Sequence, residues 1–137
     1  MDFSFAGEES IDYLYGIIGE EGIAGLTAAF YRQVPQNTTL APMYPSHSIE
    51  ESEIRLRDFL VFRFGGPRRY IEQRGHPSLR MRHAPFPINQ AVRNEWVTLM
   101  HQAVDEMSFS AKVSSLLLDF FHQVATFLIN QNDVADR

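Results

Sequence analysis

Cysteine is absent from the 137 residues, and that absence removes several chemistries together. Disulfides, thiolate zinc sites, iron–sulfur clusters, thiol nucleophiles and haem attached through CxxCH all need a thiol. Any metal must be held by nitrogen, by oxygen or by methionine. No apolar run approaches the roughly 20 residues of a membrane span. The opening MDFSFAGEES has neither the positive start nor the apolar stretch of a signal peptide, so a cytoplasmic location with no membrane partner is expected. Internal repeats and low-complexity stretches are missing too. The net charge of −5 argues against nucleic acid as a partner, because phosphate neutralisation needs a basic face. Lysine is nearly absent: eleven of the twelve basic residues are arginine, whose planar fork suits carboxylate and phosphate.

What is present is mostly helical pattern. The length fits one domain, residues 1–137 with an ordered core over about 10–130, large enough for a substantial apolar interior. Ile11, Leu14, Tyr15 and Ile18 recur at helical spacing, and Gly19 and Gly22 bracket a break. A second helix runs from about Ile23 to Val34, with Ile23, Leu26, Phe30 and Val34 on one face, Tyr31 beside it and Pro35 to stop it. The stretch PQNTTLAPMYPSH reads as an irregular or single-turn connection. Ser48 and Glu51 form a capping box for a helix ending at Phe64, before Gly65, Gly66 and Pro67. A long arginine-rich connection follows. Asn89 caps a helix to about Met107, with Val92, Trp96, Leu99, Met100 and Ala103 on its stripe. Ser108 or Ser110 caps the last helix, where Val113, Leu116, Leu117, Phe120, Val124, Phe127 and Leu128 make the widest apolar face. Nothing reads as a strand, so the class is all-α.

The unusual segment is RGHPSLRMRHAPF, residues 74–86. From Arg55 to Arg82 there are eight arginines against only Asp58 and Glu72. Pro77 suits a helix start, while Pro85 and Pro87 forbid continuation much past His83, leaving a helix of little more than a turn. Leu79 and His83 share its face, and Arg80 flanks them. One imidazole, an apolar neighbour and a fixed cation would suit a haem, whose iron takes neutral imidazole and whose propionates attract guanidinium. Phe59, Leu60, Trp96, Leu99, Phe120 and Phe121 are large enough to cover a macrocycle. By itself this pattern also describes a structural or surface histidine. Asp119 with His122, and His101 with Asp105, have metal-ligand spacing. A di-iron bundle would need Glu-x-x-His, which does not occur, so both pairs read as surface polar neighbours. His76 is seven residues from His83, a shared small metal site without other ligands, and His47 reads as a loop residue.

The run FGGPRRYIEQRGHPSLRMRHAPFPI, with Trp96 and Met100 after it, closely resembles the truncated haemoglobins of the second (O-type) group. The likeness extends from about Tyr13 to Ile129, and the GGP, RGHP and LRMRHAPF blocks keep order and spacing. The resemblance implies a truncated globin fold, a two-over-two helical sandwich around one non-covalent b-type haem (iron protoporphyrin IX). It implies that His83 is the proximal iron ligand. The distal tyrosine of the family matches Tyr31 in FYRQV, the aromatic of the following turn matches Tyr44 in PMYP, and the group's tryptophan matches Trp96. Ser52 and Leu56 fall on the two distal positions of the long capped helix, with Phe59 beyond them, and Arg55 falls beside the propionates. Arg80 is the other implied propionate partner, with Tyr70 and Arg82 as further candidates; Met81 and Phe86 accompany His83 at the cofactor. Small Ser52 leaves an open route to the iron, and apolar Leu56 lacks a donor, so control of a ligand would rest on Tyr31, Tyr44 and Trp96. The implied activity is reversible binding of O2, NO, CO or peroxide, serving nitric oxide detoxification or peroxide chemistry with an unidentified reductase. A haem-based gas or redox sensor without turnover is the alternative, and the family allows a homodimer.

Overall fold

The computed structural model describes residues 11–44, 48–75 and 78–132, apart from the side chains of Tyr70, Gln73 and Arg74. Every regular element among them is helical: α1 (Leu14–Gln33), α2 (Ile49–Arg63), α3 (Arg69–Arg74), α4 (Leu79–His83), α5 (Gln90–Met107) and α6 (Ala111–Phe127). Single 3-10 turns at Ile11–Tyr13, Val34–Gln36 and Ala41–Met43 complete the set. None of the described helices is long and apolar enough to cross a membrane.

Local chemistry accounts for the boundaries. Gly19 breaks the first helical pattern as expected: at φ 69° and ψ 175° it kinks α1 between two helical stretches, in a region essentially reserved for glycine. Asn89 and Ser110 cap α5 and α6, each accepting from the amide three residues on, Val92 N at 2.9 Å and Val113 N at 3.2 Å. Ser110, not Ser108, is thus the cap of α6. Ser48 occupies the N-cap position of α2, but its side chain closes no cap bond. At the other end of α2, Gly65 (φ 94°) turns the chain so tightly that a Cβ there would lie 2.1 Å from the Asp12 carbonyl oxygen. Tyr15 N donates to Phe64 O at 2.9 Å across the same junction.

The arginine-rich stretch expected to be a connection contains α3. Arg69 explains why it can be ordered: its guanidinium pairs with Glu20, beside the α1 kink, and its Nε lies 3.4 Å from the buried Asp58 carboxylate of α2. An ionic link between distant segments supplies what a six-residue helix lacks by itself.

α1 packs against α2 and α5, and α5 against α6, so the pair α1/α2 lies across the pair α5/α6. The core between them is aliphatic and aromatic, with Ile23, Leu26, Phe30, Leu60, Phe64, Met100, Leu117, Phe120 and Phe121 buried. Fully burying each such side chain contributes about 2 kcal/mol of hydrophobic stabilisation. α6 buries Phe121 and Ala125 beside the expected face, because it is covered from more than one side. α4 is different in kind: none of its side chains is buried.

Candidate functional site

A cavity of about 760 Å³ opens between these layers. Tyr31 of α1, Tyr44 of the following turn, and Ser52, Arg55, Leu56 and Phe59 of α2 line it together with His83, Phe86, Trp96 and the α6 aromatics Phe120 and Phe121. Residues up to 97 positions apart in the chain, Tyr31 and Leu128, meet there only through packing.

His83 is held in one ring orientation. Its Nδ1 lies 2.8 Å from the carbonyl oxygen of Leu79, one turn earlier. A carbonyl only accepts, so Nδ1 carries a proton, and the neutral ring then keeps its lone pair on Nε2, the form in which imidazole binds a metal. The segment around it is tied to the end of α6 by Asn130. Its amide nitrogen donates to Phe86 O at 2.9 Å and its carbonyl oxygen accepts from Ile88 N at 2.9 Å, while Asn130 N donates to Ile88 O at 2.8 Å.

Tyr31, Tyr44 and Trp96 form a directed network. Tyr31 and Tyr44 meet edge-on with ring centroids 5.5 Å apart, and Trp96 packs between Phe30 and Phe121. The Tyr44 oxygen faces the Tyr31 hydroxyl and the Trp96 indole N–H, both placed to donate to it. Its own O–H is therefore still available to donate. Burial pushes the Tyr31 phenol well above its ordinary value near 10, and the Tyr44 oxygen adds to the shift, with Arg55 opposing. Burial raises Tyr44 as well, against the two bonds it accepts. Both phenols stay neutral donors throughout the physiological range.

The arginines divide by task. Arg63 pairs with Asp12 at 2.6 Å, Arg32 with Glu106 at 2.9 Å, and Arg68 covers the Phe62 ring. Arg55, Arg82 and Arg93 line the cavity. Arg80, expected at the propionates, instead stacks over Phe127 with its guanidinium carbon 5.4 Å from the ring centre, outside the cavity lining. Met81 is likewise outside it and 72% exposed, because a one-turn helix turns only the side of Leu79, Arg82 and His83 inward. Tyr70 lies on α3 with its side chain outside the described residues, and His76 and His47 lie outside them altogether. Arg93 and Asn130 were not singled out from the sequence. Their cross-element partners lie 29 to 47 residues away, and no local pattern signals such bonds.

Residues 13–130 match the model of the bacterial-like globin family.

The chain belongs to that family.

Group 2 truncated haemoglobin YjbI of Bacillus subtilis (strain 168) is 33% identical over 94% of this chain and 97% of its own length. Among solved structures, a thermostable haemoglobin from Thermobifida fusca is 39% identical with a TM-score of 0.82, covering 87% of this chain and 96% of that one. A truncated oxygen-avid haemoglobin from Bacillus subtilis is 34% identical with a TM-score of 0.80, covering 85% and 98%. This globin is thus a group 2 truncated haemoglobin with the two-over-two helical fold. The family implies a haem and small gaseous ligands such as O2. The cavity fits that group: its walls are largely aromatic and aliphatic, its arginines suit carboxylates, and one imidazole offers a lone pair.

Proposed function

We propose that the cavity would hold a non-covalent b-type haem with His83 as the iron ligand, and that this globin serves oxygen-dependent removal of nitric oxide. The observation that carries the reading is the Nδ1 contact of His83 to Leu79 O at 2.8 Å, which puts the lone pair of the neutral ring on Nε2, beside a cavity that also holds neutral buried phenols. When bound, haem supplies an iron that takes neutral imidazole and a small diatomic ligand. The chain supplies the rest. Apolar walls limit water, and Arg55 and Arg82 offer guanidinium to the propionates. With Tyr31 and Trp96 directed at its oxygen, Tyr44 keeps its own hydrogen and would donate it to a polarised diatomic ligand. Small Ser52 and apolar Leu56 leave that task to the aromatic network. The oxygen-avid character named for the Bacillus subtilis structure agrees with strong donation of this kind.

Removal of nitric oxide would consume one NO, one O2 and one electron to give nitrate, so the reading requires a reductase as the electron source. The test is an absorption spectrum of the ferric, ferrous and oxygen-loaded protein, followed by nitrate yield on mixing the oxygen-loaded form with nitric oxide. Fast stoichiometric nitrate with rapid re-reduction by a supplied reductase is expected. A single slow turnover would overturn the detoxification reading and favour peroxide chemistry or sensing.

A further inference from the structure

His101 of α5 and His122 of α6 meet outside the cavity, with their Nε2 atoms 2.9 Å apart and their rings perpendicular. On its other side, His122 Nδ1 lies 2.9 Å from Arg93 Nη2, and the same nitrogen donates to His122 O at 3.3 Å. Arg93 Nε donates to Thr126 Oγ1 at 3.1 Å and Nη1 to Asn94 Oδ1 at 3.1 Å. Arg93 is also part of the cavity lining.

The proton positions follow from these contacts. A guanidinium only donates, so His122 Nδ1 is the acceptor and its neutral ring carries the proton on Nε2. That N–H donates to His101 Nε2, which must then be unprotonated as well. A proton gained by either ring sets N–H against N–H. Two Nε2 atoms at this spacing would also suit adjacent ligands of a transition metal. A metal-bound imidazole, however, carries its proton on the far nitrogen, where Arg93 already donates.

We propose that His101 and His122 are positioning residues forming a proton-sensitive clamp on Arg93, so that acidification loosens a cationic edge of the haem pocket. The clamp rests on the haem reading above for its consequence but not for its existence. The charged and titratable groups around it are Arg93 and His101 from α5, with Asp105 one turn beyond His101, and Asp119 on α6 itself; Arg80 of α4 lies further along α6, at Phe127. Burial, Arg93 and His101 hold His122 below the ordinary imidazole value, with Asp119 opposing, so the clamp is closed at neutral pH and opens below it.

Two measurements test it. Imidazole titrations by NMR on the purified, carbon monoxide-loaded protein should show His101 and His122 titrating as a coupled pair, each moved by substitution of the other. Ferric haem transfer to excess apomyoglobin should accelerate between pH 8 and pH 5.5 by about threefold more in the native chain than in His122→Asn, about the worth of one net hydrogen bond. The asparagine oxygen sits where Nδ1 was and accepts from Arg93 at every pH. In His101→Gln the amide oxygen accepts from His122 at every pH and the repulsion that holds His122 down is gone, so the acceleration should shift to higher pH. Independent titrations, or one pH profile shared by the native chain and His122→Asn, would overturn the clamp. A purified chain without a Soret band would overturn the haem reading instead, and the same NMR titration run on that haem-free chain would still decide the clamp.

Discussion

His83 and Tyr44 show how much a single side chain depends on where its proton is. The Leu79 carbonyl fixes the His83 tautomer, and removal of the ring should remove the iron bond: His83→Gly is expected to lose the axial-imidazole spectrum of the ferrous protein and to regain it with added imidazole. At Tyr44 the direction of the hydrogen bonds ranks the distal residues. Tyr44→Phe removes the free donor, so oxygen release measured by stopped flow should quicken by about tenfold, as expected for roughly 1.4 kcal/mol. Tyr31→Phe removes only a support for Tyr44 and should quicken it by about threefold. Equal rates in the two variants would contradict this order. Because burial raises both phenols above their ordinary value, neither proton is lost at neutral or mildly alkaline pH, and ligand release should stay flat from pH 7 to pH 9. His83, Tyr31, Tyr44 and Trp96 were all legible in the sequence from residue type and motif. The order within the network was not, since it depends on which oxygen faces which N–H.

At the scale of elements, glycine chemistry decides where helices bend and stop. Gly19 and Gly65 both have positive φ, but only Gly65 also faces backbone at close range, the Asp12 carbonyl. Gly65→Ala should therefore cost about 3 kcal/mol or more in urea unfolding, and Gly19→Ala about 1 to 2 kcal/mol, from backbone strain without a clash. The long helices were readable because apolar periodicity, asparagine and serine caps and proline stops are local signals. α3 was not. Its order depends on Arg69 reaching Glu20 and Asp58 on other elements. α4 was readable as short from Pro85 and Pro87, yet what fixes its trailing loop is Asn130 at the far end of the chain.

Across the whole molecule, a cavity of about 760 Å³ in a 137-residue chain leaves a large apolar surface to be covered by the cofactor. Removing haem should lower the thermal midpoint markedly, since a ligand at a thousandfold above its dissociation constant contributes about 4 kcal/mol. An apoprotein melting at the holoprotein temperature would contradict that dependence. Global stability should also fall on acidification, and the sign follows from His122. Its pKa is lowered in the folded chain, so its contribution is complete above the ordinary imidazole value and is lost as pH falls through the lowered one. Urea midpoints between pH 8 and pH 5.5 measure this, with His122→Asn expected to flatten the slope. The sequence by itself determined the long helices and the shortness of the His83 helix, because periodicity, capping and proline geometry act within a few residues, and its resemblance to the truncated haemoglobins picked out His83, Tyr31, Tyr44 and Trp96. Only the tertiary structure decided which arginines face the cavity, moving Arg80 onto Phe127 and bringing Arg93 in. It also joined His101 to His122 across two helices. Those outcomes turn on which long side chains meet across packed elements, and spacing along one chain carries no record of that.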